Sequence, residues 1–234
     1  KNVDDIVKRV QVIFYRREKN KEPDKTNIDK YRMIEIKHNK IYEVSSFEMR
    51  GLHNLNTPKI VLSYIQDNNL YYIPKIASYV EKKRFEHMKS VALLCYDIAL
   101  NNKKEDPEKY YVAGLLHDIG KTIDEKTIKM VEEQFSDYLP IDKKLYHQFL
   151  SAEIALKEFN IKDKDILQAI RYHATGKANM NSIAKVVYAA DEIDPLRGYA
   201  SINMIMAMMN NIDEGFIYVL SENREHLLSK GLDI

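Results

Sequence analysis

The chain has 234 residues, of which 45% are hydrophobic and 30% are charged, and its formal net charge is +1. This balance predicts a folded protein, because disordered chains are poor in apolar residues and carry a larger net charge. The small net charge gives no reason to expect a nucleic-acid partner. The single cysteine, Cys95, excludes an internal disulfide bond and a zinc site built from cysteines.

The cellular location is predicted from the same features. No apolar run reaches the roughly 18 residues that a membrane-spanning helix needs, so we expect no membrane partner. The first residues do not resemble a signal peptide, because Asp4 and Asp5 interrupt the basic residues and no cleavage site follows. With the scarcity of cysteine, these features predict a cytoplasmic protein.

The first seventy residues predict a small α/β segment. Residues 11–17 have the composition of a strand, and residues 30–46 that of two short strands meeting at His38 and Asn39. The polar stretch between them, 18–30, is typical of a loop. Two helix starts follow. One is expected near Phe47, with Ser45 or Ser46 as its N-cap, and the other at Thr57 and Pro58.

From residue 71 onward, apolar residues recur at helical spacing. Helices are expected over 74–80, 83–101, 107–119, 124–137, 143–159, 163–173, 182–193 and 202–229. The sequence therefore predicts a mainly α protein, with a helical bundle over residues 71–234 preceded by the α/β segment over residues 1–70.

Four of the seven histidines lie in the predicted bundle beside helix ends or apolar helical runs: His87, His117, His147 and His173. His117 and Asp118 directly follow the apolar run VAGLL, which predicts that the pair lies at the inner end of a buried helix. A buried carboxylate is costly unless a cation pairs with it. Gly120 then allows the chain to turn away, as glycines at helix C-termini do.

The same pattern recurs at Asp191, which follows the apolar stretch IAKVVYAA. Imidazole and carboxylate ligands without thiolates suit iron, manganese, cobalt, zinc or magnesium, and the sequence does not choose among them. Each of these residues is weak evidence alone, since isolated helical histidines are mostly structural or exposed. A histidine, a His-Asp pair, two further histidines and an aspartate, all on separate predicted helices, together indicate a metal site.

These residues carry a family resemblance. The order H…HD…H…H…D resembles the HD-domain phosphohydrolases, and the local strings resemble their YqeK-type branch, the symmetrical diadenosine-tetraphosphate hydrolases. The matching strings are RFEH (84–87), LLHDIGK (115–121), LYHQFLSAEIA (145–155), AIRYHATG (169–176) and VVYAADEIDPLR (186–197). One departure is Asp194, where that branch more often has glutamate before the proline, and we expect the carboxylate function to survive it.

The resemblance implies a site with two metal ions, which in this family are usually iron. His87, His117, Asp118 and Asp191 would hold the first ion, and Asp118, His147 and His173 the second. The implied substrate is a dinucleoside polyphosphate, diadenosine tetraphosphate, cut into two ADP. The resemblance leaves the oligomeric state open, with a homodimer among the options.

Further site residues are predicted by chemistry and position. A pair of metal ions can activate water and clamp a phosphate, and nearby cations stabilise the charge that develops. Arg84, Lys121 and Arg197 are the candidate catalytic cations beside Asp118, although Lys121 and Arg197 are equally consistent with ordinary surface cations and Arg84 less so. Thr175 and Gly176 could bind substrate through a hydroxyl and a backbone N–H, or could simply end a helix.

The α/β segment resembles the C-terminal end of bacterial nicotinate-nucleotide adenylyltransferases, enzymes of NAD biosynthesis with a Rossmann-like fold. Ser45, Ser46 and Arg50 match that family's Ser-Ser-Thr-x-Ile-Arg motif, while Phe47 and Met49 depart from it. In the family this helix start binds ATP phosphates, which suits the anion preference of helix N-termini. Since no His-x-Gly-His string is present, we expect the tail of a transferase in a bifunctional fusion, without transferase activity of its own.

Two alternatives remain open. One is another HD activity, such as a nucleotidase, a deoxynucleotide triphosphohydrolase or a cyclic-dinucleotide phosphodiesterase. The other is a binding module that senses nucleotides without turnover, although the complete set of six expected ligands opposes an inactive site.

Overall fold

The computed structural model describes residues 3–16, 22–37, 46–52, 55–122, 124–136, 139, 141–198, 201–229 and 231. Contacts divide the chain into two compact units, Lys1–Ser46 and Phe47–Ile234. Helices dominate the larger unit, and the strands of the described residues all lie in the smaller one. The predicted mainly α class is confirmed.

The first unit contains helix α1 (Val3–Val7), strand β1 (Ile13–Phe14), helix α2 (Lys25–Tyr31) and strand β2 (Ile34–Glu35). The two strands are parallel, and Ile13 pairs with Ile34. The loop predicted over 18–30 is wrong in its second half, where α2 is helical from Lys25. Asp24 caps this helix by accepting a hydrogen bond of 2.9 Å from the backbone N–H of Thr26. The expected strand junction at His38 and Asn39 lies outside the described residues.

The second unit begins well before residue 70. Its first helices are α3 (Ser46–Arg50), which starts at the unit boundary, α4 (Lys59–Asp67) and α5 (Ile73–Ala77). Leu55, Leu62 and Ile65 are at most 1% exposed and belong to the same apolar core as the helices that follow. The compact units therefore divide between Ser46 and Phe47 rather than near residue 70, because apolar burial ties this stretch to the bundle.

The bundle continues through eight α-helices: α6 (Lys82–Asn101), α7 (Pro107–Leu116), α8 (Glu125–Gln134), α9 (His147–Glu158), α10 (Lys164–Arg171), α11 (Ser182–Ile193), α12 (Ile202–Asn210) and α13 (Ile212–Ser229). Short 3-10 turns precede α9 at Lys143–Leu145 and follow α11 at Pro195–Arg197. Helices α6, α7 and α11 pack on one another at the centre. Among the described residues, no helix has the length and apolarity to cross a membrane.

The single helix expected over 202–229 is two helices. Asn211 adopts extended backbone between them, with φ −155° and ψ 120°. Its side-chain oxygen accepts hydrogen bonds from the backbone N–H groups of Asp213 (2.9 Å) and Glu214 (3.2 Å), so it caps the start of α13. Apolar periodicity continues through this break, which is why the pattern alone missed it.

Gly120 brings α9 close to the end of α7. A Cβ atom at this position would lie 2.7 Å from the backbone nitrogen of Ser151, and the Gly120 N–H donates a hydrogen bond of 2.9 Å to the Ser151 hydroxyl. The glycine is therefore required by a close approach between two segments rather than by the helix-ending turn that the sequence suggested. This contact places the turn after α7 against the first part of α9.

Candidate metal centre

The six predicted ligands come from five elements and meet inside the second unit. His87 lies on α6, His117 and Asp118 directly follow α7, His147 begins α9, His173 follows α10, and Asp191 lies near the end of α11. All six are buried, with exposed fractions of 0% for His117, 1% for Asp118 and at most 9% for the others. The structure therefore brings together side chains separated by up to about half the chain.

One group of potential ligand atoms consists of His87, His117 and Asp191, whose donor atoms lie within 4.8 Å of one another. His87 Nε2 is 3.0 Å from Asp191 Oδ1, and His117 Nε2 is 3.7 Å from the same oxygen. Three donors at this spacing surround a position that a cation can occupy.

A second group consists of His117, Asp118 and His173. Asp118 Oδ1 lies 3.4 Å from His173 Nε2 and 3.1 Å from His147 Nε2, while its Oδ2 lies 3.7 Å from His117 Nε2. The two oxygens of Asp118 therefore face different histidines, so both oxygens are directed at the histidine cluster. The role of these residues as metal ligands stays a prediction.

Three of the histidines have their other ring nitrogen held by backbone. The Nδ1 atoms of His117, His147 and His173 each lie 2.7 Å from the carbonyl oxygen of the residue three positions earlier. Because a carbonyl only accepts, Nδ1 must carry the proton, and Nε2 then presents a lone pair to the centre in the neutral ring. Helix-end geometry thus prepares three imidazoles as ligands.

His87 differs, since its Nδ1 lies 2.6 Å from Asp194 Oδ2. Asp194 is 1% exposed and also accepts a hydrogen bond from the Ser90 hydroxyl. Burial opposes protonation of His87, but its hydrogen bonds to Asp191 and Asp194 outweigh this effect and raise its pKa to about 9.

The two buried aspartates are held in the charged form. Burial alone would raise the pKa of Asp118, but the neighbouring His117, His147 and His173 lower it below its usual value. For Asp191 the same burial effect is overcome by His117, His87 and Arg197, which bring its pKa well below the usual range. Both carboxylates are therefore available as anionic ligands.

The donor set fits divalent metal. It combines four imidazoles with two anionic carboxylates, and hard-to-borderline cations prefer such nitrogen and oxygen ligands. In addition, the fully buried Nε2 of His117 has no hydrogen-bond partner among the residues that the structure describes. A buried nitrogen lone pair without a partner is costly, and coordination of a cation would satisfy it.

The three predicted cations all reach the ligands. Arg84 Nη1 lies 2.7 Å from Asp118 Oδ2, and Lys121 Nζ lies 3.1 Å from His147 Nε2 and 3.4 Å from Asp118 Oδ1. The Arg197 guanidinium pairs with the side chain of Asp191. They are thus part of the centre rather than scattered surface cations, while their contact with phosphate stays a prediction.

A cavity of about 960 Å³ opens beside His87. Lys82, Lys83, Arg84 and Arg197 line it together with Glu81 and Glu86, so its wall carries four cations and two anions. A surplus of positive charge next to buried metal ligands favours an anionic ligand such as a polyphosphate.

The remaining predicted residues that the structure describes are not among those that line the cavity beside His87. The Thr175 N–H and hydroxyl both donate to the Gln148 side-chain oxygen, and Gly176 follows with φ +65°. Ser46 begins α3 and the exposed Arg50 ends it, while Ser45 lies outside the described residues. Their predicted contacts with phosphate stay predictions.

Sequence reasoning gave the carboxylate of Asp194 no partner and did not identify the buried Gln148. Asp194 lies three residues after Asp191 in the string DEIDP, and this third carboxylate at the same helix end was the available signal. Gln148 directly follows His147 and is fully buried, but no sequence pattern marks it.

Comparison with known proteins agrees with this fold. Residues 84–196 match the HD domain family. The symmetrical bis(5'-nucleosyl)-tetraphosphatase of Staphylococcus aureus is 31% identical over 133 residues, which cover 56% of this chain and 68% of that protein. The chain therefore belongs to the HD-domain hydrolase family, in the branch of the symmetrical bis(5'-nucleosyl)-tetraphosphatases.

A second relative is named for two enzyme activities. The probable nicotinate-nucleotide adenylyltransferase/Ap4A hydrolase of Mycoplasma genitalium is 32% identical over 141 residues, or 60% of this chain, which span only 40% of that protein. Among solved structures, a predicted HD superfamily hydrolase involved in NAD metabolism from Clostridium acetobutylicum matches with a TM-score of 0.57. It covers 77% of this chain and 92% of its own at 22% identity, which supports the fold alone.

Proposed function

We propose that this chain is a metal-dependent phosphohydrolase that cuts dinucleoside polyphosphates, with diadenosine tetraphosphate cleaved to two ADP. The observation that carries the proposal is the convergence of four buried histidines and two buried aspartates next to a cavity lined with cations. The family membership supports the reaction class, and the name of the Staphylococcus aureus relative supports the substrate.

We assign His87, His117 and Asp191 to one divalent ion and His147 and His173 to a second, with Asp118 shared between them. Iron is the first candidate, and manganese, cobalt, zinc and magnesium suit the same donors. When bound, such ions supply Lewis acidity to a phosphoryl group and lower the pKa of water.

The residues of the chain have separate tasks in this scheme. Arg84 and Arg197 lie between the ligand carboxylates and the cavity, so each can turn part of its guanidinium toward a phosphate oxygen. Lys121 lies on the His147 side and can neutralise charge that develops there. Cleavage adds one water across the central phosphoanhydride bond, and each half of the substrate leaves as ADP.

Product analysis separates this proposal from the alternatives. Chromatography of a metal-loaded reaction should give ADP as the only product from diadenosine tetraphosphate. Release of inorganic phosphate from nucleotides, of triphosphate from deoxynucleotides, or of linear products from cyclic dinucleotides would select another HD activity. Tight nucleotide binding without any product would indicate a sensor.

The substitution Asp118→Asn tests the centre itself. It keeps the size of the side chain but removes the charge that faces three histidines. We expect the metal content, measured by elemental analysis, to fall. The rate of hydrolysis should drop by about two orders of magnitude or more, because residues that act as a unit lose most of their effect when one of them is removed. Asp67→Asn, at an exposed position of α4, is the matched control. Full metal occupancy with full activity in Asp118→Asn would refute the assignment.

We also propose a cytoplasmic location and a relation of residues 1–70 to the tail of a nicotinate-nucleotide adenylyltransferase. The double name of the Mycoplasma genitalium relative supports this relation. We expect no pyrophosphate release from ATP and nicotinate mononucleotide by this chain. Light scattering after size-exclusion chromatography distinguishes a monomer from a homodimer.

A further inference from the structure

A smaller cavity, of about 240 Å³, is lined in part by the sequence neighbours of His147 and His173. Gln148, Phe149, Tyr172, Thr175 and Lys177 are among the residues that line it. Gln148 directly follows His147, and Tyr172 directly precedes His173. Two residues of the cavity wall are thus bonded directly to predicted ligands. The cavity and the candidate centre are therefore built by the same two helix ends.

The orientation of the Gln148 amide is settled by its partner. Its Oε1 accepts hydrogen bonds from the backbone N–H of Thr175 (3.3 Å) and from the Thr175 hydroxyl (3.2 Å). A backbone N–H only donates, so the oxygen of the amide must face Thr175, and Nε2 must face elsewhere. The other group of this amide, Nε2, can therefore act only as a hydrogen-bond donor.

That donor has no partner in the described part of the chain. Gln148 is 0% exposed, and its Nε2 is a buried nitrogen without a hydrogen bond. Buried donors are nearly always paired with protein, water or ligand, because an unpaired one loses its hydration without compensation. A ligand with a hydrogen-bond acceptor in the neighbouring cavity would supply the missing partner.

The other walls suit a flat, partly polar ring. Tyr172 and the 1% exposed Phe149, whose ring stacks on Phe135, line the cavity, and the Lys177 ammonium lies 4.8 Å from the centre of the Tyr172 ring. The wall therefore combines apolar ring surface with a cation, and such a combination favours a ligand that has both a flat apolar part and hydrogen-bond acceptors. The volume is below the roughly 300–1,000 Å³ of sites that enclose a whole drug-sized ligand, so it matches one part of a nucleotide.

We propose that this cavity binds one nucleobase of the substrate and that Gln148 Nε2 donates to a ring nitrogen or carbonyl oxygen of that base. The inference rests on the proposed function, which places the cleaved phosphates at the neighbouring histidines. A glutamine distinguishes adenine when its oxygen accepts from the amino group of the base and its nitrogen donates to a ring nitrogen. The Gln148 oxygen already accepts from Thr175, so this pair of hydrogen bonds is not available. The site recognises an acceptor atom, and adenine and guanine bind it alike.

The test compares two probes on the metal-loaded chain by isothermal titration calorimetry: ADP, which has a base, and methylenediphosphonate, which has only the phosphate part. Gln148→Glu keeps the shape and the Thr175 contact but replaces the donor with an acceptor. Gln148→Met removes the donor without adding charge. Gln134→Glu and Gln134→Met, at an exposed position of α8, are matched controls.

We expect the ratio of ADP affinity to methylenediphosphonate affinity to fall about tenfold or more in both Gln148 variants and to stay within twofold in the controls. GDP should behave like ADP. Taking the ratio cancels any effect of the substitution on the metals. An unchanged ratio, or a wild-type chain that binds both probes equally, would overturn the proposal. Diadenosine tetraphosphate turnover by the wild type is measured separately, so a failure of the proposed function is recognised independently.

Discussion

His87 is set apart from the other three histidines by the partner of its second ring nitrogen. The others donate to backbone carbonyl oxygens, whereas His87 contacts the buried carboxylate of Asp194 at 2.6 Å. A carboxylate in this position fixes the ring orientation and makes the imidazole a stronger ligand than a carbonyl does. Asp194 therefore acts as a positioning residue for the group of His87, His117 and Asp191.

Replacing Asp194 with asparagine should weaken metal binding at this group. The amide can still accept the His87 hydrogen bond, but the negative charge beside the ring is lost. We expect metal affinity, measured by competition with a chromogenic chelator, to fall by about 10- to 100-fold, the usual effect of such outer partners.

Asp194→Glu is the informative companion, because the charge is kept. Its affinity should return to within a few fold of the wild type. Equal metal affinity in Asp194→Asn and wild type would show that Asp194 does not position His87.

At the scale of the elements, the contact of Gly120 with α9 decides where the His-Asp turn lies. Because the nearest atom to an added Cβ is backbone, at 2.7 Å, no side-chain rotation can relieve the clash. The turn that carries His117 and Asp118 would have to move away from α9, which carries His147.

We therefore expect Gly120→Ala to destabilise the chain by about 1–3 kcal/mol, the usual cost of overpacking a tight contact. Urea unfolding of the metal-free protein measures this value, and metal content should fall in parallel because the ligands separate. Gln134→Ala, on the exposed face of α8, should leave both quantities unchanged. A stable, metal-replete Gly120→Ala protein would contradict the role of this contact.

Helix α10, which ends just before His173, has a charged N-cap. Asp163 accepts hydrogen bonds from the backbone N–H groups of Asp165 (2.9 Å) and Ile166 (3.3 Å) and pairs with Lys109 at 3.1 Å. Burial alone would raise the pKa of Asp163, but the Lys109 contact and the backbone N–H groups lower it.

The lowered pKa predicts a pH dependence of stability. Since the folded-state pKa lies below the unfolded value of about 3.9, the stabilisation is present above that value and is lost as the pH falls through the folded pKa. Asparagine caps helices as well as aspartate does, so Asp163→Asn removes only the charge. We expect the variant to be about 0.5–1 kcal/mol less stable at pH 7, and this difference should shrink as the pH falls through the folded-state pKa, in urea unfolding of metal-free protein. A difference that does not change with pH would contradict this assignment.

At the scale of the whole molecule, the candidate site lies entirely in the unit Phe47–Ile234. Removal of residues 1–46 should therefore leave metal content and hydrolysis within about twofold of the full chain. Removal of residues 1–70 should be far more harmful, because it deletes the buried Leu52, Leu55, Leu62 and Ile65. Burial of each such side chain contributes about 1.5–3 kcal/mol, so their sum approaches the stability of a typical domain. Thermal unfolding of the two truncated chains distinguishes these outcomes, and equal stability would refute the division at Ser46.

The sequence by itself determined the helical class, most of the helix positions and the set of six candidate ligands. Apolar spacing marks α6, α7, α10 and α11, and the His-Asp pair after VAGLL stands out because a charge after a buried run needs a partner. The predicted helix boundaries were less reliable where a capping side chain starts a helix. Asp24 starts a helix inside an expected loop, and Asn211 divides an expected single helix.

Only the tertiary structure decided how the ligands are grouped, which residues support them and where the compact units divide. Asp194 and His87 are 107 positions apart, and the link between Gln148 and Thr175 joins two helix ends. Such contacts depend on the packing of distant segments, which local periodicity does not encode. Gly120 illustrates the difference: its position after a helix suggested a turn, while its actual role is set by a backbone that approaches from α9.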